Sequence, residues 1–262
     1  MSTTTQTAAR TTARPVTLPG SATATGRLRM VLRSMMVGLR PMIGGYWLIM
    51  LLTFLVGGVI VQLFTGTLNH SMWDYGTQSP KYFSAAIGIT LTPALFTLLI
   101  AHGVTRRMFA VAGSILLVGA AISTSLIWTL AYQVERGIYD WAGFQQVMDN
   151  PHLYTTTSQV GLIFTEFFLL ILAHEAAGWL IGIAFYRFGF WKGLAFLPLG
   201  LLPAAAAEFL LVAQWMADAL ANTGYHRPSL AIGIPGVLAV SGIALYCGYL
   251  LIRPLSLKPA KG

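Results

Sequence analysis

Glu166, His174, Glu175 and Glu208 are ionisable residues set inside long apolar runs, and they are the first candidates for chemistry. An ionisable group in hydrocarbon costs roughly 3 kcal/mol or more, so such side chains face a bundle interior or a hydrated cavity. They could line a translocation path, bind a metal or move protons. Helical spacing divides them. At about 100° per residue, Glu166 and Glu175 lie about 180° apart, and His174 lies about 80° from Glu166 but two turns away. Glu166 and Glu208 fall near the outer ends of their runs and Glu175 nearer the inner side. Glu166 and Glu208 are therefore expected to line the external part of a path, and His174–Glu175 to form an inner polar site. The competing role is structural, each carboxylate being protonated or hydrogen-bonded between helices. No relay joining the four is visible in the sequence.

Other chemistries find no support. His174-Glu175 opens like H-E-x-x-H, but Gly178 stands where the second histidine belongs, so that zinc set is missing. The five histidines, His70, His102, His152, His174 and His226, show no metal spacing, and Cys247 is the single cysteine. There is no P-loop, dinucleotide fingerprint or G-x-S-x-G elbow. No catalytic, cofactor-binding or metal-ligating residue is expected.

The elements that must position the four residues follow from composition. The chain has 262 residues, 56% hydrophobic and only 9% charged, against roughly 25% charged in an ordinary soluble domain. An ordinary soluble enzyme and a disordered chain are excluded. Six apolar runs, Ile43–Phe64, Tyr82–Ala101, Met108–Tyr132, Val160–Ile183, Leu194–Ala213 and Leu230–Ile252, approach the ~20 residues that cross a bilayer as a helix. The expected fold is all-α and polytopic, with six transmembrane helices spanning residues 42–253. The second and third should form a hairpin, and a loop of about 26 residues should join the third and fourth.

Charge sets the orientation. Thirteen of the 16 basic residues fall before the first run, in the second–third and fourth–fifth loops, and in the tail. The opposite loops share only Lys81, Arg136 and Arg227, together with Asp74, Glu135, Asp140, Asp149 and Asp218. By the positive-inside rule both termini are cytoplasmic, so the +8 net charge reads as topology and gives no support for nucleic-acid binding. Tyr46, Trp47, Trp128, Tyr132, Trp191 and Trp215 are placed as interfacial aromatic belts.

Residues 1–25 read as a disordered basic tail and 254–262 as a short cytoplasmic tail. Over 26–41, Arg29, Arg33 and Arg40 share one helical face and Leu28, Val31, Leu32, Met35 and Leu39 another, as in an amphipathic helix lying at a membrane interface on anionic lipid. Pro93, Pro198, Pro203 and Pro235 fall within runs and permit kinks.

Between the second and third runs stands His102-Gly103-Val104-Thr105-Arg106-Arg107-Met108-Phe109. With the basic lead-in and six spans, G-V-T-R-R before an apolar helix resembles small bacterial permease subunits of ATP-binding-cassette exporters, the ABC-2-like class. Gly178-Trp179-Leu180-Ile181-Gly182, leading through Tyr186-Arg187-Phe188-Gly189, is similar to the glycine-rich fourth helix and short basic loop of such permeases. The likeness covers most of residues 26–253 in layout but only these stretches in residues. The long third–fourth loop and the intramembrane glutamates fall outside it.

The resemblance implies a transport subunit without its own ATPase, in a bacterial cytoplasmic membrane, paired as a homo- or heterodimer and driven by a separate ABC ATPase. Gly103, Val104, Thr105, Arg106 and Arg107 would then be the main ATPase-coupling element and Arg187 and Lys192 a second contact. The 26–41 helix would be an interfacial elbow. The alternatives are a membrane-embedded enzyme subunit and a proton- or ion-coupled carrier, both using Glu166, His174, Glu175 and Glu208.

Overall fold

The structure, a computed structural model, describes residues 23–257. The expected N-terminal tail lies almost wholly outside them, as do Lys258 and Lys261. The described residues form eight helices: α1 (Ala24–Thr65), α2 (Gln78–Ala101), α3 (Arg106–Ala142), α4 (Val160–Phe188), α5 (Phe190–Ala195), α6 (Leu197–Leu211), α7 (Trp215–Leu220) and α8 (Leu230–Ile252), with a 3-10 turn at Asp74–Gly76. Counting α5 and α6 as one span, six are long and apolar enough to cross a membrane. The helix connections alternate between two ends of the bundle. The basic end carries the 102–105 turn and Gly189; the capped end carries residues 66–77, 143–159 and 212–229.

α4 is apolar over most of its surface, its ionisable residues being spread round it, and a helix with no polar face belongs at the centre. It does lie there: 89% of its most apolar window is buried, against 6% for α1, and α2, α3, α6 and α8 pack around it. Its closest neighbour is α2. A Cβ added at Gly178 would overlap the Ala85 carbonyl, one at Gly182 the Ile89 carbonyl, and one at Gly88 of α2 the Glu175 carbonyl. Gly178 and Gly182, four apart on one face, thus let two backbones touch, which is how small residues drive helix pairing without a hydrophobic force between helices. Trp179 is fully buried beside this contact and donates from Nε1 to Thr92 Oγ1 of α2 at 3.0 Å.

Several element limits differ from the sequence reading. The amphipathic segment 26–41 is no separate helix: it is continuous with the first span, passing through Pro41 to make one 42-residue helix. That helix is about 63 Å long, against ~30 Å of hydrocarbon. Its apolar face is covered by protein, since Val31, Met35 and Leu39 are buried in a cluster with Leu95, Phe96, Leu99, Phe109, Ile252 and Leu255. Arg29, Arg33 and Arg40 stay exposed on the other face. α3 runs ten residues beyond Tyr132, which shortens the expected loop to 143–159. The fifth span is broken at Phe196 and ends at Leu211, with Pro198 in the first turn of α6, where a missing N–H leaves no bond unmade. Trp128 and Tyr132 are fully buried core residues and form no belt, whereas Trp191 and Trp215 are exposed.

Candidate functional site

The capped end is held by buried polar groups from five parts of the chain: the 3-10 turn, α3, the 143–159 loop, α4 and the segment after α6. Asp74, in the 3-10 turn, is fully buried, and Oδ1 accepts from His152 Nε2 at 2.7 Å and from Tyr132 OH at 3.3 Å. Its Oδ2 accepts from the backbone N–H groups of Asp149 and Asn150 at 2.7 and 2.9 Å. The other nitrogen of His152, Nδ1, donates to Glu166 Oε1 of α4 at 2.7 Å. Leu153 N donates to Glu166 Oε2 at 2.7 Å and Gln214 Nε2 to Oε1 at 3.0 Å. Carboxylate oxygens only accept when ionised, so an imidazole between two of them donates from both nitrogens and is charged. Burial opposes that charge, but the Glu166 carboxylate and the hydrogen bonds to Asp74 and Glu166 outweigh it, raising His152 to about 9. Tyr154 stacks on the ring at 4.4 Å between centroids.

Gln214 reaches Glu166 through an unusual backbone. Val212 has φ 43° and Gln214 φ 56°, the two positive-φ residues other than glycine among those described. For a β-branched valine this region is strained, at about 1–3 kcal/mol per such residue. The turn that ends α6 is therefore bent where it delivers an amide to a buried carboxylate.

A second group lies on α2, α4 and α6. Lys81 of α2 donates from Nζ to Glu208 Oε1 of α6 at 2.6 Å, with both side chains almost fully buried. The ammonium also lies 5.5 Å from the Tyr82 ring centre and 5.9 Å from that of Trp215, within the range of a cation–π attraction. His174 of α4 donates from Nδ1 to the Leu170 carbonyl at 2.7 Å and turns Nε2 towards Glu208 Oε1 at 3.5 Å. The Glu166 charge bears on Lys81 as well, so the two groups act as one electrostatic array.

A separate knot closes the cap. Glu135 of α3 accepts from Ser71 Oγ, from Met72 N at 2.6 Å and from Gln146 Nε2 at 2.7 Å. The ten extra residues of α3 exist in part to deliver this carboxylate to the 66–77 loop.

Of the four candidate path residues, the structure places His174 beside Glu208, with Glu166 in the neighbouring group. Glu166 and Glu208 share the capped half of the bundle. His174 joins Glu208 and does not pair with Glu175, because adjacent helical residues point about 100° apart. The expected inner His174–Glu175 site is therefore absent, and Glu175 is fully buried on its own beside Ser84, against α2. A half-open cavity of about 400 Å³ at the capped end, bounded by Val61, Leu68, His70 and Tyr75, is lined by none of the four. Among the described residues no group of three or more His, Cys, Asp or Glu is arranged to hold a metal ion.

At the basic end, Gly103 takes φ 85° to close the turn, and Thr105 caps α3 by accepting from Met108 N at 3.2 Å. Gly103, Thr105, Arg106 and Arg107 are exposed and Val104 is half-buried. Arg106 Nε donates to the Leu255 carbonyl at 2.7 Å, tying this turn to the segment after α8. Arg187 is exposed and lies 5.3 Å from the Phe188 ring centre; Lys192, on α5, is exposed too.

Sequence reasoning missed Asp74, Lys81, His152, Glu135 and Gln214. Their neighbours read as polar loops, and charges there were assigned to topology. One signal was available: Lys81 immediately precedes the second apolar run and carries the one basic charge of that connection. Comparison of the chain with family models, curated proteins and solved structures returned no match.

Proposed function

We propose that this chain is the membrane-spanning permease subunit of an ATP-driven transporter, an exporter, whose ATPase is a separate protein. The observation that carries the reading is the exposed 102–105 turn with Arg106 and Arg107, mounted on α2. α2 touches α4 backbone to backbone and holds Lys81, paired with Glu208 of α6, at its other end. A push on the turn would therefore move α2 as a lever and reach the buried array without passing through a flexible linker. Rigid elements with two packed arrangements are what couple distant sites.

In this reading the basic end faces the cytoplasm of a bacterial cell, with Arg187 and Lys192 as a second contact. Arg29, Arg33 and Arg40 sit on anionic headgroups, each worth about 1 kcal/mol near such a surface. The exposed apolar side of α1, with Leu52, Leu55, Val59 and Leu63, leaves room for lipid or for a second permease chain.

The test is affinity purification of the tagged chain in mild detergent. A co-purifying ATPase with a P-loop, lost in Arg106→Glu/Arg107→Glu, supports the proposal. Repeated recovery without such a protein contradicts it. One observation favours a second reading, a proton-coupled carrier: the buried array sets several ionisable groups within electrostatic reach of one another. In that case transport would stop when the proton gradient is dissipated and would persist without ATP.

A further inference from the structure

The buried array contains three carboxylates, Asp74, Glu166 and Glu208, and two cations, Lys81 and the doubly donating His152. The five together carry one uncompensated negative charge, in surroundings where an uncompensated charge is expensive. Tyr132 and Tyr154 also touch the set, and His174 is the further imidazole in contact with it. Its Nδ1 is committed to the Leu170 carbonyl, which only accepts, so Nε2 is the nitrogen free to gain or lose a proton. Nε2 faces Glu208 Oε1 at 3.5 Å. Without a proton there, two lone pairs oppose each other; with one, an N–H is directed at a carboxylate.

We propose that His174 Nε2 and Glu208 Oε1 form a proton-binding site, holding one exchangeable proton that neutralises the buried array and ties α4 to α6 beside the Lys81 bridge from α2. Uptake forms one N–H bond with a proton from bulk water, and release returns it. The helix arrangement is thereby tied to pH on the side of the membrane that the capped end faces. This goes beyond the transport reading and stands whether or not an ATPase drives the chain.

Every element around the ring takes part in a definable way. α2 presents Lys81 and Tyr82, the latter edge-on at 5.8 Å; α6 presents Glu208; α4 itself carries Glu166 two turns away and Glu175 on another face.

The test is nitrogen NMR of the full chain, labelled with 15N-histidine and held in lipid nanodiscs, with the His174 signals assigned by their loss in His174→Gln. The Nε2 resonance is expected to move between its neutral and protonated positions as bulk pH is varied. In Glu208→Gln the midpoint should be displaced by about one pH unit or more, the usual effect of removing an opposite charge at this range, while His102, at the other end, is unmoved. If Glu208→Gln fails to fold, Lys81→Met/Glu208→Gln, which strands neither charge, is compared with Lys81→Met, so that the loss of the ammonium is common to both and the displacement reports Glu208 alone. An Nε2 resonance that keeps one protonation state at every pH, or a midpoint indifferent to the loss of Glu208, overturns the proposal.

Discussion

Replacing His152 with glutamine tests the clamp between the 3-10 turn, the 143–159 loop and α4. In the folded protein the imidazolium lies between Asp74 and Glu166 at 2.7 Å from each. Its pKa is raised from 6.5 to about 9, and a difference of that size corresponds to about 3 kcal/mol of stability. Because the folded pKa lies above the unfolded one, this stability is fully present below about pH 6.5 and is lost as pH rises through about 9. Glutamine can donate to one of the two carboxylates but supplies no charge. The stability gap between wild type and His152→Gln should therefore be largest near pH 6 and shrink by about 1.4 kcal/mol per pH unit towards pH 9. Unfolding by added denaturant in detergent micelles, followed by tryptophan fluorescence at a series of pH values, reads this gap directly. A gap that stays constant across the window, or widens as pH rises, would refute a charged His152.

Lys81→Met leaves the buried Glu208 carboxylate without its ammonium and should destabilise by about 3–5 kcal/mol, whereas Lys81→Met/Glu208→Leu should recover most of that loss; the same unfolding measurement distinguishes the two. Gly178→Leu drives a side chain into the Ala85 backbone and should cost about 3 kcal/mol or more. Gly44→Ala, where nothing lies within 4 Å, should be neutral or slightly stabilising, and size-exclusion profiles with unfolding midpoints report both.

What could be read from the sequence depended on how local its cause was. The six spans were legible because an apolar run long enough to cross a bilayer has few alternatives. The end of α3 was not, since Gln133, Glu135, Arg136 and Asp140 look like a loop until Glu135 is seen to bind the 66–77 segment. Pro41 hid the continuity of α1, because the proline that breaks most soluble helices is accommodated in a long membrane helix. Glu166 and Glu208 were found as charges out of place. Their partners were not, because His152 and Lys81 were in segments where charge is ordinary. Helical geometry separated Glu166 from Glu175 correctly, yet only packing could bring His174, on α4, to Glu208, 34 positions further along. The Gly178–Gly182 spacing was visible, and its use as a backbone contact with α2 needed the second helix to be placed.

A photo-crosslinking residue placed at Thr105, in the exposed turn ahead of α3, gives the most direct test of the central claim that another protein drives this bundle from its basic end. Irradiation of living cells followed by denaturing purification should yield a covalent adduct to an ATPase carrying a P-loop, and the same residue at Thr223, at the capped end, should not. An adduct to no ATPase, or the same ATPase captured equally from both ends, would contradict the account.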